Sequence, residues 1–70
     1  MTLDEAKHGQ VVRVVQTRPE LALRPKVQAI GLRAGREVRV MSRNGRMLLV
    51  QVGEARVAVT ADLARCIEVQ

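Results

Sequence analysis

Asn44-Gly45 sits between two runs in which apolar and polar residues alternate, "REVRVMSR" (Arg36 to Arg43) and "RMLLVQV" (Arg46 to Val52). A type I′ turn needs positive φ at both central residues, and Asn-Gly meets that demand readily. The dipeptide therefore predicts an antiparallel hairpin. The period of two then sorts the side chains. Val38, Val40, Leu48, Val50 and Val52 share the inner face, with Glu37 and Arg39 outward. Gly53-Glu54 turns the chain again into "ARVAV" (Ala55 to Val59), which presents Val57 and Val59.

The remaining segments fit around this meander. "QVVRVVQT" (Gln10 to Thr17) is Val-rich and reads as a strand entered from Gly9. "RPELALRP" (Arg18 to Pro25) is interrupted by two prolines and reads as a connector. Proline is tolerated at the first helical position, so a short helix is predicted from Pro25 to Ile30, ended by Gly31. Val27 and Ile30 share one face of it, and Leu32 follows as an apolar plug. Gly35 then turns the chain within "RAGR". Thr60 is a candidate N-cap for one helical turn over "TADLARC". "CIEV" (Cys66 to Val69) is a short last strand. The expected architecture is mainly β, a small five-stranded barrel with one short α-helix between strands 1 and 2, in a single domain over residues 1–70. Closing such a sheet removes edges that would recruit other chains. Val14, Val27, Ile30, Leu32, Val38, Val40, Leu48, Val50, Val57 and Ile67 are the expected core, with Val27 and Ile30 as a lid over one open end.

A domain of this size has a thin margin, about 3–5 kcal/mol. Cys66 is the only cysteine and there is no aromatic residue at all. The first fact excludes an internal disulfide and fits a reducing, cytoplasmic setting. The second argues against nucleic-acid binding by stacking, since single strands are held on aromatic platforms. The net charge of +5 still calls for an acidic partner or a plain solvated basic surface. Backbone-only nucleic-acid binding through arginine stays open as an alternative function. No apolar run is long enough to enter a membrane, and "MTLDEAKHGQ" does not read as a signal peptide. Enzymatic activity is not expected. The one His and the one Cys are 58 positions apart, and Gly31-x-x-x-Gly35 lacks a following Gly-Lys-Ser/Thr.

Taken in order, "GQVVRVV", "AIGLRAGREVRV", "LLVQVGEARVAV" and "ADLARCIEV" resemble the FeoA family of the bacterial ferrous iron transport system. The match runs from about Leu3 to Val69, and Gly31-Leu32 followed by Gly35 and alternating valines is its most specific piece. The resemblance implies an SH3-like barrel. It also implies a regulatory or assembly role by contact with FeoB, the permease that carries a cytosolic GTPase domain. Two features depart from the family pattern: Pro25 shortens the helix, and the loop between strands 2 and 3 shrinks to Asn44-Gly45. The same barrel occurs at the C-terminus of iron-dependent repressors, so a metal-sensing SH3-like domain is a further alternative.

Two sets of side chains are candidates for function. Leu21, Leu23, Arg24, Lys26, Gln28 and Arg33 would form a basic, partly apolar knob beside the short helix. Leucine supplies burial and arginine supplies charge-assisted hydrogen bonds, as a docking surface requires. The other reading of this knob is a solvated helix face with Leu21 or Leu23 tucked into the barrel mouth. Asp4, Glu5 and His8 are the best metal donors, suited to Fe(II) or Zn(II), with Asp4 and His8 on one face if the leader is helical. The stronger reading is that Asp4 and Glu5 are ordinary helix-start acids and His8 a turn residue, and no cofactor is required. Met41, Met47 and Leu49 are an alternative apolar strip, for a partner or for a homo-oligomer.

Overall fold

The computed structural model describes residues 1–70. Five antiparallel strands form one sheet, in the order β4-β3-β2-β1-β5. They are β1 (Val11–Thr17), β2 (Glu37–Asn44), β3 (Met47–Val52), β4 (Ala55–Thr60) and β5 (Ile67–Val69). A seven-residue helix, α1 (Arg24–Ile30), lies between β1 and β2, and a single turn, α2 (Ala61–Ala64), joins β4 to β5. The sheet is strongly bent. One extra residue is inserted at Val15 in β1 and another at Met41 in β2, and each shifts the register there. Such bulges increase local twist and let a small sheet wrap its own core. This is the SH3-like architecture.

The predicted hairpin forms, but with a different turn. Asn44 remains in β2 and pairs with Met47, so the two turn residues are Gly45 and Arg46. Gly45 has φ +62°, and no non-glycine residue has positive φ. A turn with positive φ only at its first central position is the II′ pattern, which glycine satisfies and which spares Asn44 the left-handed conformation that type I′ imposes. Gly53-Glu54 repeats the arrangement between Val52 and Ala55, again with φ +62° at the glycine.

The connector is also more ordered than its prolines suggested. Leu21–Leu23 form a 3-10 turn that runs straight into α1, which begins at Arg24. Gly31 closes the helix, its N–H donating to the carbonyls of Val27 and Gln28 at 3.2 and 3.1 Å. Thr60 caps α2 as expected, its Oγ1 accepting from the Leu63 N–H at 3.2 Å.

All the buried side chains are apolar, and they make one cluster. Eight of the ten expected core residues belong to it; Ile30 and Val57 are only partly buried against its surface. Val27 is the one buried residue of α1, so the lid rests on a single side chain. Ile30 is on the same side of the helix as Val27 but is its last residue, and it is only partly buried against the core's surface. The core also takes Leu3 and Ala6 from the leader, and Ala61, Leu63 and Ala64 from the α2 turn.

Candidate functional site

The stretch from Leu21 to Arg36 holds four of the twelve Lys and Arg residues and none of the seven acids. The rest of the chain has eight bases against seven acids. Nearly all of the net charge thus resides in one excursion between β1 and β2. Arg24, Lys26 and Arg33 are exposed on it. Every ion pair lies elsewhere: Arg13–Glu37 at 3.2 Å, Arg43–Asp4 at 3.0 Å, Arg65–Asp62 at 3.1 Å and Arg65–Asp4 at 3.7 Å. The excursion's four cations make no ion pair within the chain, although Glu20 and Glu37 flank the segment, and Arg24, Lys26 and Arg33 stay exposed to solvent.

The excursion does not simply cover the barrel. β2 pairs with β1 only over Val11–Arg13, and the incoming chain adds bonds at Val14 through Gly35 and Arg36. From Val15 to Thr17, β1 has a strand partner on one side alone, β5. Its other edge borders α1, and a groove runs between them. Two adjoining depressions make up this groove and share Thr17, Val27 and Gln28. Val15 and Leu32 add apolar lining, Arg18 and Arg24 stand at one end, and Arg33 at the other. No acidic residue lines it.

The six residues expected to form one knob are divided by the fold. Arg24, Gln28 and Arg33 line the groove. Leu23 turns the other way, packing against the core in a shallow recess that also meets Thr60, Asp62 and Cys66. Leu21 projects from the 3-10 turn and is 76% exposed, the most exposed large apolar side chain in the molecule. Lys26 is exposed on α1. Val15, Thr17 and Arg18 were not among the candidates, because strand periodicity assigns them no task. The missing acids between Leu21 and Arg36 are the sequence signal that marks the region.

Asp4, Glu5 and His8 are not brought together. The leader is helical only over Leu3–Glu5, and Ala6 is already extended, so positions 4 and 8 share no helical face. The Asp4 carboxylate accepts from Arg43, whose guanidinium also donates to the Asp4 carbonyl. The Glu5 carboxylate accepts from the Thr2 N–H at 2.8 Å and from its hydroxyl at 3.3 Å. These bonds hold the Glu5 carboxyl below the usual carboxylate range, the backbone donor contributing most. His8 is exposed in the turn after the leader. No group of three His, Cys, Asp or Glu side chains converges, so Asp4, Glu5 and His8 do not form the expected donor set. Cys66 is half-buried, its thiol 3.4 Å from the Asp62 carbonyl. On the alternative strip, Met41 and Leu49 are partly buried and Met47 is exposed. No helix is long and apolar enough to cross a membrane.

The family model for the FeoA domain matches residues 1–70. No curated protein matches the chain. Among solved structures, an iron uptake regulatory protein (FeoA) has a TM-score of 0.90 at 25% identity, over 100% of this chain and 95% of that one. A FeoA from Stenotrophomonas maltophilia, complexed with zinc and described as a prokaryotic SH3 domain protein, has a TM-score of 0.87 at 29% identity, over 100% and 89% of the two chains. A manganese-dependent transcriptional repressor in complex with manganese reaches 0.91 at 20% identity, with this chain spanning 35% of it. That last likeness is one of fold alone.

Proposed function

This chain belongs to the FeoA family of small accessory proteins associated with ferrous iron transport, and from that premise we propose that it acts by docking on the cytosolic GTPase side of a FeoB-type permease. The reading needs no catalysis and no resident metal; iron is the cargo of the system. Its docking side is the part of the excursion that carries Arg24, Gln28 and Arg33 at the groove, with Leu21 and Lys26 exposed beside them; Leu23, packed against the core, is not part of it. The observation that carries this choice is the run from Leu21 to Arg36 with four cations and no acid. Those cations stand on and beside a short helix anchored to the core by Val27, so the backbone positions that carry them are set before a partner arrives. Leu21 offers an apolar contact at the edge of the charge.

The test is binding of the permease's isolated cytosolic domain to wild type and to the pair Arg24→Glu with Lys26→Glu, across a salt series. Both positions are exposed, so the pair keeps the fold. Charge reversal at a docking surface slows association and weakens binding, here by about tenfold at low salt, with the difference shrinking as salt rises. Equal binding by both proteins throughout the series would move the interface elsewhere, first to the strip around Met41, Met47 and Leu49.

A further inference from the structure

We propose that the groove between α1 and the unpaired edge of β1 takes an extended, acidic peptide segment with alternate apolar residues, laid beside Val15–Thr17 as a short added strand. This deepens the docking reading by naming the partner's chemistry, and it rests on that reading only for who the partner is. Three observations combine. Val15–Thr17 have a strand partner on one side only, so the other side can take backbone hydrogen bonds from an incoming strand. The groove's apolar lining is the partly exposed Val15 together with Val27 and Leu32, which are almost fully buried. Its ends are cationic, with Arg18 and Arg24 at one and Arg33 at the other, and Gln28 stands between them as a neutral donor and acceptor.

Successive residues of a strand point to opposite sides, so one alternating segment serves both demands. Its apolar residues face the groove interior and its carboxylates reach the arginines as charge-assisted pairs. Other polyanions fit less well. A single-stranded nucleic acid finds no aromatic side chain to stack on. A bilayer needs a broad set of projecting apolar groups, whereas in this region only Leu21 and, less so, Val15 are exposed and Val27 and Leu32 are buried.

The probe is a short synthetic peptide alternating glutamate with valine, compared with its lysine-for-glutamate counterpart. Binding is read by amide shifts and hydrogen exchange on the whole chain. The acidic peptide is expected to shift Thr17, Gln28 and Gly31 and to slow exchange along Val15–Thr17, while the lysine peptide does neither. Arg24→Glu with Arg33→Glu should weaken it about tenfold, whereas Arg46→Glu with Arg56→Glu, the same change of net charge on exposed residues outside the groove, should change it less than about twofold. The milder pair Arg24→Gln with Arg33→Gln gives the same ranking should the reversal disturb folding. Equal weakening by the near and far pairs, equal binding of both peptides, or shifts outside the groove would overturn the proposal. So would failure of the peptide alongside tight binding of phosphatidylglycerol vesicles, which would assign the surface to lipid. Competition separates this inference from the permease reading. If the permease domain binds and the peptide neither binds nor competes, the groove falls and the permease reading stands. If the peptide binds as described and the permease domain does not, the reverse holds.

Discussion

Two segments flank the sheet, and they use their residues in opposite ways. The leader, residues 1–10, sends Leu3 wholly into the core with Ala6 beside it. It is stitched to β5 by the Thr2–Glu68 bridge and by the Val69 N–H donating to the Met1 carbonyl at 2.8 Å. Its acids are spent internally, Asp4 on Arg43 and Arg65, Glu5 on Thr2. The excursion, residues 18–36, is anchored mainly by Val27 and Leu32, leaves Leu21 in solvent, and pairs none of the cations between Leu21 and Arg36. Side chains that already have partners within the chain explain the fold. Side chains of the same types without partners within the chain are what the proposed docking surface is made of.

The largest effect that could break this contrast is a pair of leucine truncations. Leu3→Ala should cost about 2–5 kcal/mol, because it opens a cavity under the leader. Against a margin of about 3–5 kcal/mol, that unfolds much of the population at room temperature. Leu21→Ser should shift stability by no more than about 0.5 kcal/mol, since the side chain leaves almost no core contact behind. Urea denaturation of both variants checks this. A small loss for Leu3→Ala would mean that the leader is an accessory flap, and the division between the two segments would collapse.

The sequence announces some of these segments and hides others for physical reasons. Hairpins are written locally: a glycine at the turn and a period of two on either side suffice for β2, β3 and β4. The helix is nearly as plain, between Pro25 and Gly31. The turn type differs from the type I′ that Asn-Gly suggests, because Asn44 keeps its strand pairing with Met47 and Gly45 alone supplies the positive φ. The burial of Leu3 could not be read from periodicity, since a single 3-10 turn has none, and the leader turn packs against α2 and β5, far away in the chain. The groove is hidden in the same way, built from Val15–Thr17 and Val27–Gln28, which no local pattern joins. The charge asymmetry, by contrast, needs no structure to be seen, only a count of acids taken segment by segment.

A smaller effect sharpens the contrast on the leader's side. Asp4→Asn removes the carboxylate shared by Arg43 and Arg65, both of them partly exposed. The expected loss is modest, about 0.2–1 kcal/mol, because exposed ion pairs are screened and their long side chains are costly to order. The informative result is what the freed arginines do. If they simply join the surface charge, affinity for the acidic peptide at the groove stays unchanged while stability falls slightly. Tighter peptide binding at the groove would show that the two segments are not electrostatically separate.

The smallest effect is a pH dependence, and its sign follows from Glu5. The Thr2 N–H, and then the Thr2 hydroxyl, favour the ionised carboxyl, so its folded value lies below its unfolded one. The folded state then binds fewer protons than the unfolded state in the acid range. The resulting stabilisation is fully present above the usual glutamate range, about 4.3, and fades as the pH falls through the folded value. Because Glu5 is fully exposed, the gain is slight and local, best seen as protection of the leader rather than as a shift in global unfolding. Amide exchange at Thr2 and Val69 should quicken in Glu5→Gln relative to wild type near neutral pH. The two proteins should converge on acidification. The excursion gives no counterpart to this titration, having no carboxylate between Leu21 and Arg36. If wild type and Glu5→Gln exchange alike at every pH, the leader is held by Leu3 and the β5 bridge alone, and its polar contacts are as dispensable as those of a bare surface.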